Sequence, residues 1–126
     1  MRFLAVDDSP TMLRIITNTL KRIGYDDVEG ASDGTEALEK LKNGKFDLVI
    51  TDWNMPEMTG LELLQRMRSD PELRHIPVLM VTTRSVKEDI VQAVRAGACS
   101  YIVKPFTPQI LKEKIDQILN NAAVAR

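Results

Sequence analysis

The stretch Asp47-Leu48-Val49-Ile50-Thr51-Asp52-Trp53-Asn54-Met55-Pro56 decides how the rest of the chain reads. Leu48-Val49-Ile50 is apolar without alternation, the pattern of a strand covered on both faces, as in parallel sheets. Trp53-Asn54-Met55-Pro56 breaks the run at once, leaving the carboxylate of Asp52 at a strand tip. Phe3-Leu4-Ala5-Val6 repeats the arrangement and ends in Asp7 and Asp8. Parallel strands finishing at one sheet edge crowd these three carboxylates. At about 4 Å and an effective dielectric of about 20, each close pair costs roughly 4 kcal/mol. Such a cluster calls for a cation, and oxygen-only ligands favour a hard one such as Mg²⁺.

Outward from these two strands, runs of strand length alternate with amphipathic segments of helix length. The strand candidates are 2–6, 26–30, 47–51, 77–82 and 99–103. Val78-Leu79-Met80-Val81 is again apolar throughout, whereas Asp27-Val28-Glu29-Gly30 is weak and belongs at an edge. The helices have readable starts and stops. Ser9-Pro10 offers a capping hydroxyl and a proline at the first helical position, and Gly24 follows as a stop. Leu13, Ile16, Leu20 and Ile23 fall on one face of that helix. Asp33 caps a second helix with Ala37, Leu38 and Leu41 inward and Gly44 at its end. Thr59-Gly60-Leu61-Glu62 is a capping-box pattern opening a third, with Leu61, Leu64 and Met67 on one face. Ser85-Val86-Lys87-Glu88 predicts the same device for a fourth, with Ile90, Val91 and Val94 inward and Gly97 as the stop. Thr107-Pro108 opens a fifth, carrying Leu111, Ile115 and Ile118. Asn121 to Arg126 reads as a short frayed tail.

This rhythm predicts an α/β fold: five parallel strands with right-handed crossovers and helices on both faces. The pattern leaves strand order open. Ligands in such sheets bind beyond the carboxyl ends of the strands, where Asp7, Asp8, Asp52, Thr82 and Lys104 all fall. Two or three of these carboxylates suit a divalent cation, and one is placed to act as a nucleophile. Lys104 can balance charge or clamp a phosphoryl oxygen, and the Thr82 hydroxyl can donate to the same oxygen. Together they describe phosphoryl transfer to a carboxylate, with positioning and electrostatics supplying the catalysis.

Composition narrows the partners. A chain of 126 residues suits one domain spanning 1–126, with a core over about 2–120. Its 17 basic and 18 acidic residues give a net charge of −1, which argues against nucleic acid or an anionic membrane as the main partner. No apolar stretch approaches the roughly 20 residues that span a bilayer. Met1-Arg2 runs straight into the first strand, so no signal peptide is visible. Cys99 is the only cysteine, which excludes an internal disulfide and fits a reducing cytoplasm. It reads as a small strand residue, Met55, Met58, Met67 and Met80 as gap fillers, and His75 as a loop residue.

The acidic pair in Val6-Asp7-Asp8-Ser9, the stretch Thr51 to Pro56 with Gly60, the turn Val81-Thr82-Thr83 and the run Tyr101-Ile102-Val103-Lys104-Pro105-Phe106 resemble the response regulator receiver domains. Within them the chain is most similar to the single-domain chemotaxis regulators of the CheY type. The resemblance covers roughly residues 2 to 120. It implies a flavodoxin-like sheet in the order 2-1-3-4-5. It implies Asp52 as phosphoacceptor, and Asp8, Asp52 and the backbone carbonyl of Asn54 as direct Mg²⁺ ligands, with Asp7 acting through a coordinated water. It implies Lys104 on the acyl phosphate, a cis bond from Lys104 to Pro105, Thr82 as switch hydroxyl and Tyr101 as the aromatic that reports it. Arg84 occupies a position that varies within the family. The implied partners are a sensor histidine kinase as donor, a phosphatase, and the flagellar motor switch as output, bound on the face of the fourth helix, fifth strand and fifth helix. The implied protein is a phosphorylation-controlled binding module, not an enzyme on other substrates, although it catalyses its own phosphorylation and dephosphorylation.

Other readings compete. Taken singly, Asp7 or Asp8 is a capping acid, Lys104 a solvated lysine, Thr82 a strand terminus and Tyr101 an amphipathic edge residue. A single-domain phosphorelay intermediate would carry the same motifs. A phosphatase of the haloacid dehalogenase kind expects an Asp-x-Asp loop on its first strand, which Val6-Asp7-Asp8-Ser9 does not supply. A flavin carrier needs a hydroxyl- and glycine-rich phosphate loop there, and Asp7-Asp8 would repel the phosphate.

Overall fold

The computed structural model describes residues 1–124. Five strands alternate with five helices: β1 (Phe3–Val6), α1 (Pro10–Arg22), β2 (Val28–Ala31), α2 (Gly34–Asn43), β3 (Leu48–Thr51), α3 (Gly60–Ser69), β4 (Val78–Thr82), α4 (Lys87–Ala96), β5 (Ser100–Val103) and α5 (Pro108–Val124). The strands pair in parallel in the order β2-β1-β3-β4-β5, so the weak strand β2 is an edge and the apolar β3 is central. Each expected strand is present within two residues of its predicted start.

Side chains alternate across a strand, and that period divides the core in two. Leu4, Val6, Val49, Val78 and Met80 meet Ala37 and Leu41 of α2, Leu61, Leu64 and Met67 of α3, and Ala93 of α4. Phe3, Ala5, Leu48, Ile50, Leu79 and Val81 meet Ile16 and Leu20 of α1 and Leu111, Ile115 and Ile118 of α5. Met55, Met58, Met67 and Met80 are all buried in the first of these layers. No helix among the described residues is long and apolar enough to cross a membrane.

The caps explain where the helices begin. The Ser9 side chain accepts from the Met12 N–H and Pro10 takes the first turn of α1. Asp33 accepts from the Glu36 N–H. Thr59 and Glu62 form the reciprocal capping box of α3. The Thr107 hydroxyl accepts from the Ile110 N–H at 3.1 Å. Gly24 and Gly97 adopt left-handed backbones after α1 and α4, at φ 107° and 111°. Gly44 ends α2 in an extended conformation instead.

The fourth helix departs from expectation. Its N-cap is Val86 with no side-chain hydrogen bond, so the Ser85 box does not form. Its inward residue is Ala93, while Val91 and Val94 are 37% and 54% exposed and Ile90 is only half-buried. Small Ala93 lets the helix lie close to the sheet, and Asp89 turns toward Arg84 to form an ion pair. The valines face outward beside β5, an edge strand beyond which the sheet has no further strand to cover. At its other end α4 is gripped firmly. Arg68 of α3 donates through Nε and one terminal nitrogen to the Gly97 carbonyl at 3.2 and 2.8 Å, and through the other to Arg74 and Ile76. Burial pushes the pKa of this guanidinium down from its usual value.

Two smaller differences concern the C-terminal half. Cys99 is exposed and lies just before β5, joined to the sheet by its N–H to the Val78 carbonyl. Helix α5 continues to Val124, into the segment expected as a frayed tail, and residues 125–126 lie outside the described residues.

Candidate functional site

The sheet ladder runs one residue past several strands, and this places the charged side chains. The Asp7 N–H donates to the Ala31 carbonyl, the Asp52 N–H to Val6, and the Lys104 N–H to Thr82. Asp7, Asp52 and Lys104 are thereby held at adjoining strand ends. Oxygens of Asp7, Asp8 and Asp52 all lie within 4.8 Å of one another. Asp7 is 2% exposed, and its Oδ1 accepts from the Ser9 N–H at 2.9 Å. Asp52 Oδ1 accepts from the Trp53 N–H at 2.7 Å. The remaining oxygens share one cation: Lys104 Nζ is 2.8 Å from Asp7 Oδ2 and 3.4 Å from Asp52 Oδ2. Asp8 is exposed at the rim.

The loop after Asp52 is fixed from below by Gly60. Its N–H donates to the Trp53 carbonyl at 2.8 Å, and a β-carbon there would lie 1.9 Å from the Asp52 carbonyl oxygen. Only glycine lets the start of α3 approach this closely. In the same loop Glu57 adopts φ 65°. The bond between Lys104 and Pro105 is cis.

Among the described residues Thr82 and Tyr101 make no hydrogen bond to these carboxylates; both bond the backbone of Arg84. Thr82 is fully buried, and its Oγ1 accepts from the Arg84 N–H at 3.3 Å. The Tyr101 hydroxyl donates to the Arg84 carbonyl at 2.9 Å. Burial, with the Asp89 carboxylate second, raises the Tyr101 pKa above its usual value. The Arg84 side chain continues outward. Its Nε donates to Asn54 Oδ1 at 3.0 Å, a terminal nitrogen lies 3.2 Å from Asp89 Oδ2, and its guanidinium carbon sits 4.8 Å from the Trp53 ring centroid. This junction joins Thr82, Tyr101, Asn54 and α4. Sequence reasoning left it out, since its partners come from four separate segments.

The donor set suits a hard divalent ion. Octahedral Mg²⁺ at about 2.1 Å from each oxygen sets ligand oxygens roughly 3 to 4.2 Å apart. Three carboxylate oxygens gathered within 4.8 Å of one another could hold such an ion.

The chain matches the family model described as the response regulator receiver domain over residues 3–116. It belongs to that family. Among similar proteins, the chemotaxis protein CheY1 of Helicobacter pylori is 54% identical over 120 residues, covering 94% of this chain and 97% of that protein. The chemotaxis protein CheY of Pseudomonas aeruginosa is 52% identical over 118 residues, covering 94% and 95%. The solved structure of the Vibrio cholerae chemotaxis protein CheY4 superposes with a TM-score of 0.86 at 38% identity, covering 93% of this chain and 97% of that one. The chain is thus a receiver of two-component signalling, a signalling module fed by a kinase, and the dehalogenase-type and flavin alternatives fall away.

Proposed function

We propose that Asp52 is the phosphoacceptor of a single receiver unit, and that phosphorylation there controls a binding face for a separate output protein. One observation carries the reading: Lys104 bridges Asp7 and Asp52 at a strand edge where three carboxylates converge. In the transfer, an Asp52 oxygen forms a bond to phosphorus as the donor's P–N bond breaks, and the donor imidazole keeps the electron pair. Lys104 then moves its hydrogen bonds onto the phosphoryl oxygens. Asp7, Asp8, Asp52 and the Asn54 carbonyl would hold Mg²⁺, Asp7 through a water, and the bound ion would neutralise charge developing on the phosphoryl group. The same groups serve self-dephosphorylation.

Phosphorylating Asp52 replaces its single carboxylate charge with a phosphoryl group of about 1.5–2, a net gain of about 0.5–1, and adds strong acceptor oxygens. A charge-assisted hydrogen bond from Thr82 is worth roughly 1.5–3 kcal/mol. Converting a mostly inactive population into a mostly active one takes about 5.5 kcal/mol, so Thr82 alone falls short. Lys104, the metal and partner binding supply the rest. In this reading Thr82 moves toward the phosphoryl group and Tyr101 settles into the space it leaves, which reshapes the α4–β5–α5 face. The exposed Val86, Val91, Val94 and Val103 support a docking role for that face.

Similarity to chemotaxis proteins supports the flagellar motor switch as the output partner, a sensor kinase phosphohistidine as donor, a phosphatase as a further partner, and a cytoplasmic location. The test uses Trp53, whose N–H already bonds Asp52. Mg²⁺ changes Trp53 fluorescence, and acetyl phosphate changes it further only when metal is present. A response of Asp52→Asn equal to that of the parent would show that another residue accepts the phosphoryl group.

A further inference from the structure

We propose that the Arg84–Asp89 ion pair is a latch on the first turn of α4, released when negative charge arrives at Asp52. The inference rests on the phosphoacceptor reading above. Among the described residues this is the only ion pair made by α4. The same helix lacks a side-chain cap and buries only Ala93 fully. Through Arg84 the pair links this end of α4 to Asn54 in the loop after Asp52.

The guanidinium is already shared between the two sides it would choose between. One terminal nitrogen faces Asp89 at 3.2 Å, while Nε holds Asn54 Oδ1 at 3.0 Å, two residues beyond Asp52. Its planar fork matches phosphate as well as carboxylate. With Mg²⁺ bound in both states, a phosphoryl group brings about 1.5–2 charges where Asp52 had one, and three acceptor oxygens against the two of Asp89. Phosphorylation thus draws the guanidinium toward the Asp52 loop and leaves Asp89 without its partner. Asp89 lies in the first turn, where the helix dipole still favours a carboxylate, so α4 loses its tether and not its helical form. This route reaches α4 through a side chain. It runs beside the route through the backbone of Arg84, which Thr82 and Tyr101 contact.

The test is amide hydrogen exchange of residues 87–93 in Mg²⁺, with and without beryllofluoride, a phosphoryl mimic, with Trp53 fluorescence recorded in parallel. In the parent, the mimic speeds exchange about two- to fivefold, the range expected for losing a partly exposed ion pair. Asp89→Asn exchanges at the faster rate without the mimic and gains little from it. Asp89→Glu, which keeps the charge, behaves as the parent does. The double variant Arg84→Gln, Asp89→Asn adds nothing to Asp89→Asn alone. If Asp89→Asn leaves exchange at the parental rate, or keeps the full response while Trp53 reports binding, the latch is wrong and the phosphoacceptor reading stands. If Trp53 in the parent ignores the mimic, that reading falls and the latch falls with it.

Discussion

Lys104 Nζ lies 2.8 Å from Asp7 Oδ2 across a sequence separation of 97 residues, and both side chains are nearly buried. The ammonium also reaches Asp52, so one cation offsets two acids that would otherwise repel at short range. Lys104→Met removes it and leaves Asp7 buried without a countercharge. Breaking such a pair costs about 3–5 kcal/mol. Urea unfolding without metal should show a loss of that size. Millimolar Mg²⁺ should recover part of it, because the ion supplies the missing positive charge. An equal loss with and without Mg²⁺ would mean that lysine and metal do not serve the same carboxylates.

Gly60→Ala tests how the Asp52 backbone is held. The new methyl collides with the Asp52 carbonyl, so either α3 or the Asp52 loop must shift, costing about 3 kcal/mol or more. Labelling by acetyl phosphate should fall at least about tenfold, in line with the steep distance dependence of attack. Gly24→Ala is the control. That site has open space but φ 107°, so it should lose about 1–2 kcal/mol and label normally. Equal labelling of the two variants would remove Gly60 from the positioning of Asp52.

Alkaline stability should follow the tyrosines. Burial raises the pKa of both Tyr25 and Tyr101 above the model-peptide value of 10.0, aided by Asp116 and Asp89 respectively. The unfolded chain ionises first, near pH 10, so the folded state holds more protons there. The stability they contribute is complete below pH 10 and is lost as pH rises through the folded values. Phenolate absorbance in the native protein should therefore titrate above 10.0 at both residues, and Tyr101→Phe should flatten part of the decline in stability. A native midpoint at or below 10.0 would contradict the burial argument.

Thr82→Ala should separate chemistry from signalling. The hydroxyl accepts from the Arg84 N–H, and losing it costs about 1 kcal/mol. Phosphate uptake at Asp52 should persist, whereas phosphorylation-dependent binding of the output partner should vanish. Unaltered partner affinity in the phosphorylated variant would take Thr82 out of the switch.

Most of the architecture was legible because local signals agreed. Unbroken apolar runs marked β3 and β4, and hydroxyl or carboxylate caps marked four of the helix starts. Asp7, Asp8, Asp52 and Lys104 were readable as a cluster because each ends a strand and parallel strands share one edge. Helix α4 was misread for a physical reason. Two valines and an isoleucine give an apolar stripe, but spacing cannot say that small Ala93 would face the sheet or that Asp89 would be drawn in by Arg84. Arg84 itself carries no local signature, since its ring, amide and carboxylate neighbours come from the β3–α3 loop and α4.

The unequal ends of α4 have a mechanical consequence. Arg68 clasps the Gly97 carbonyl with two nitrogens, while the Val86 end has no side-chain cap. A rod held firmly at one extremity, and by a single ion pair at the other, responds as a lever once that pair opens. Over the 10 residues of α4, about 15 Å, a tilt of about 10° about Gly97 carries the far tip roughly 2–3 Å. Small angular changes are thereby magnified where Val86 and Val91 meet solvent, and Arg68 acts as their fulcrum from the opposite rim of the sheet.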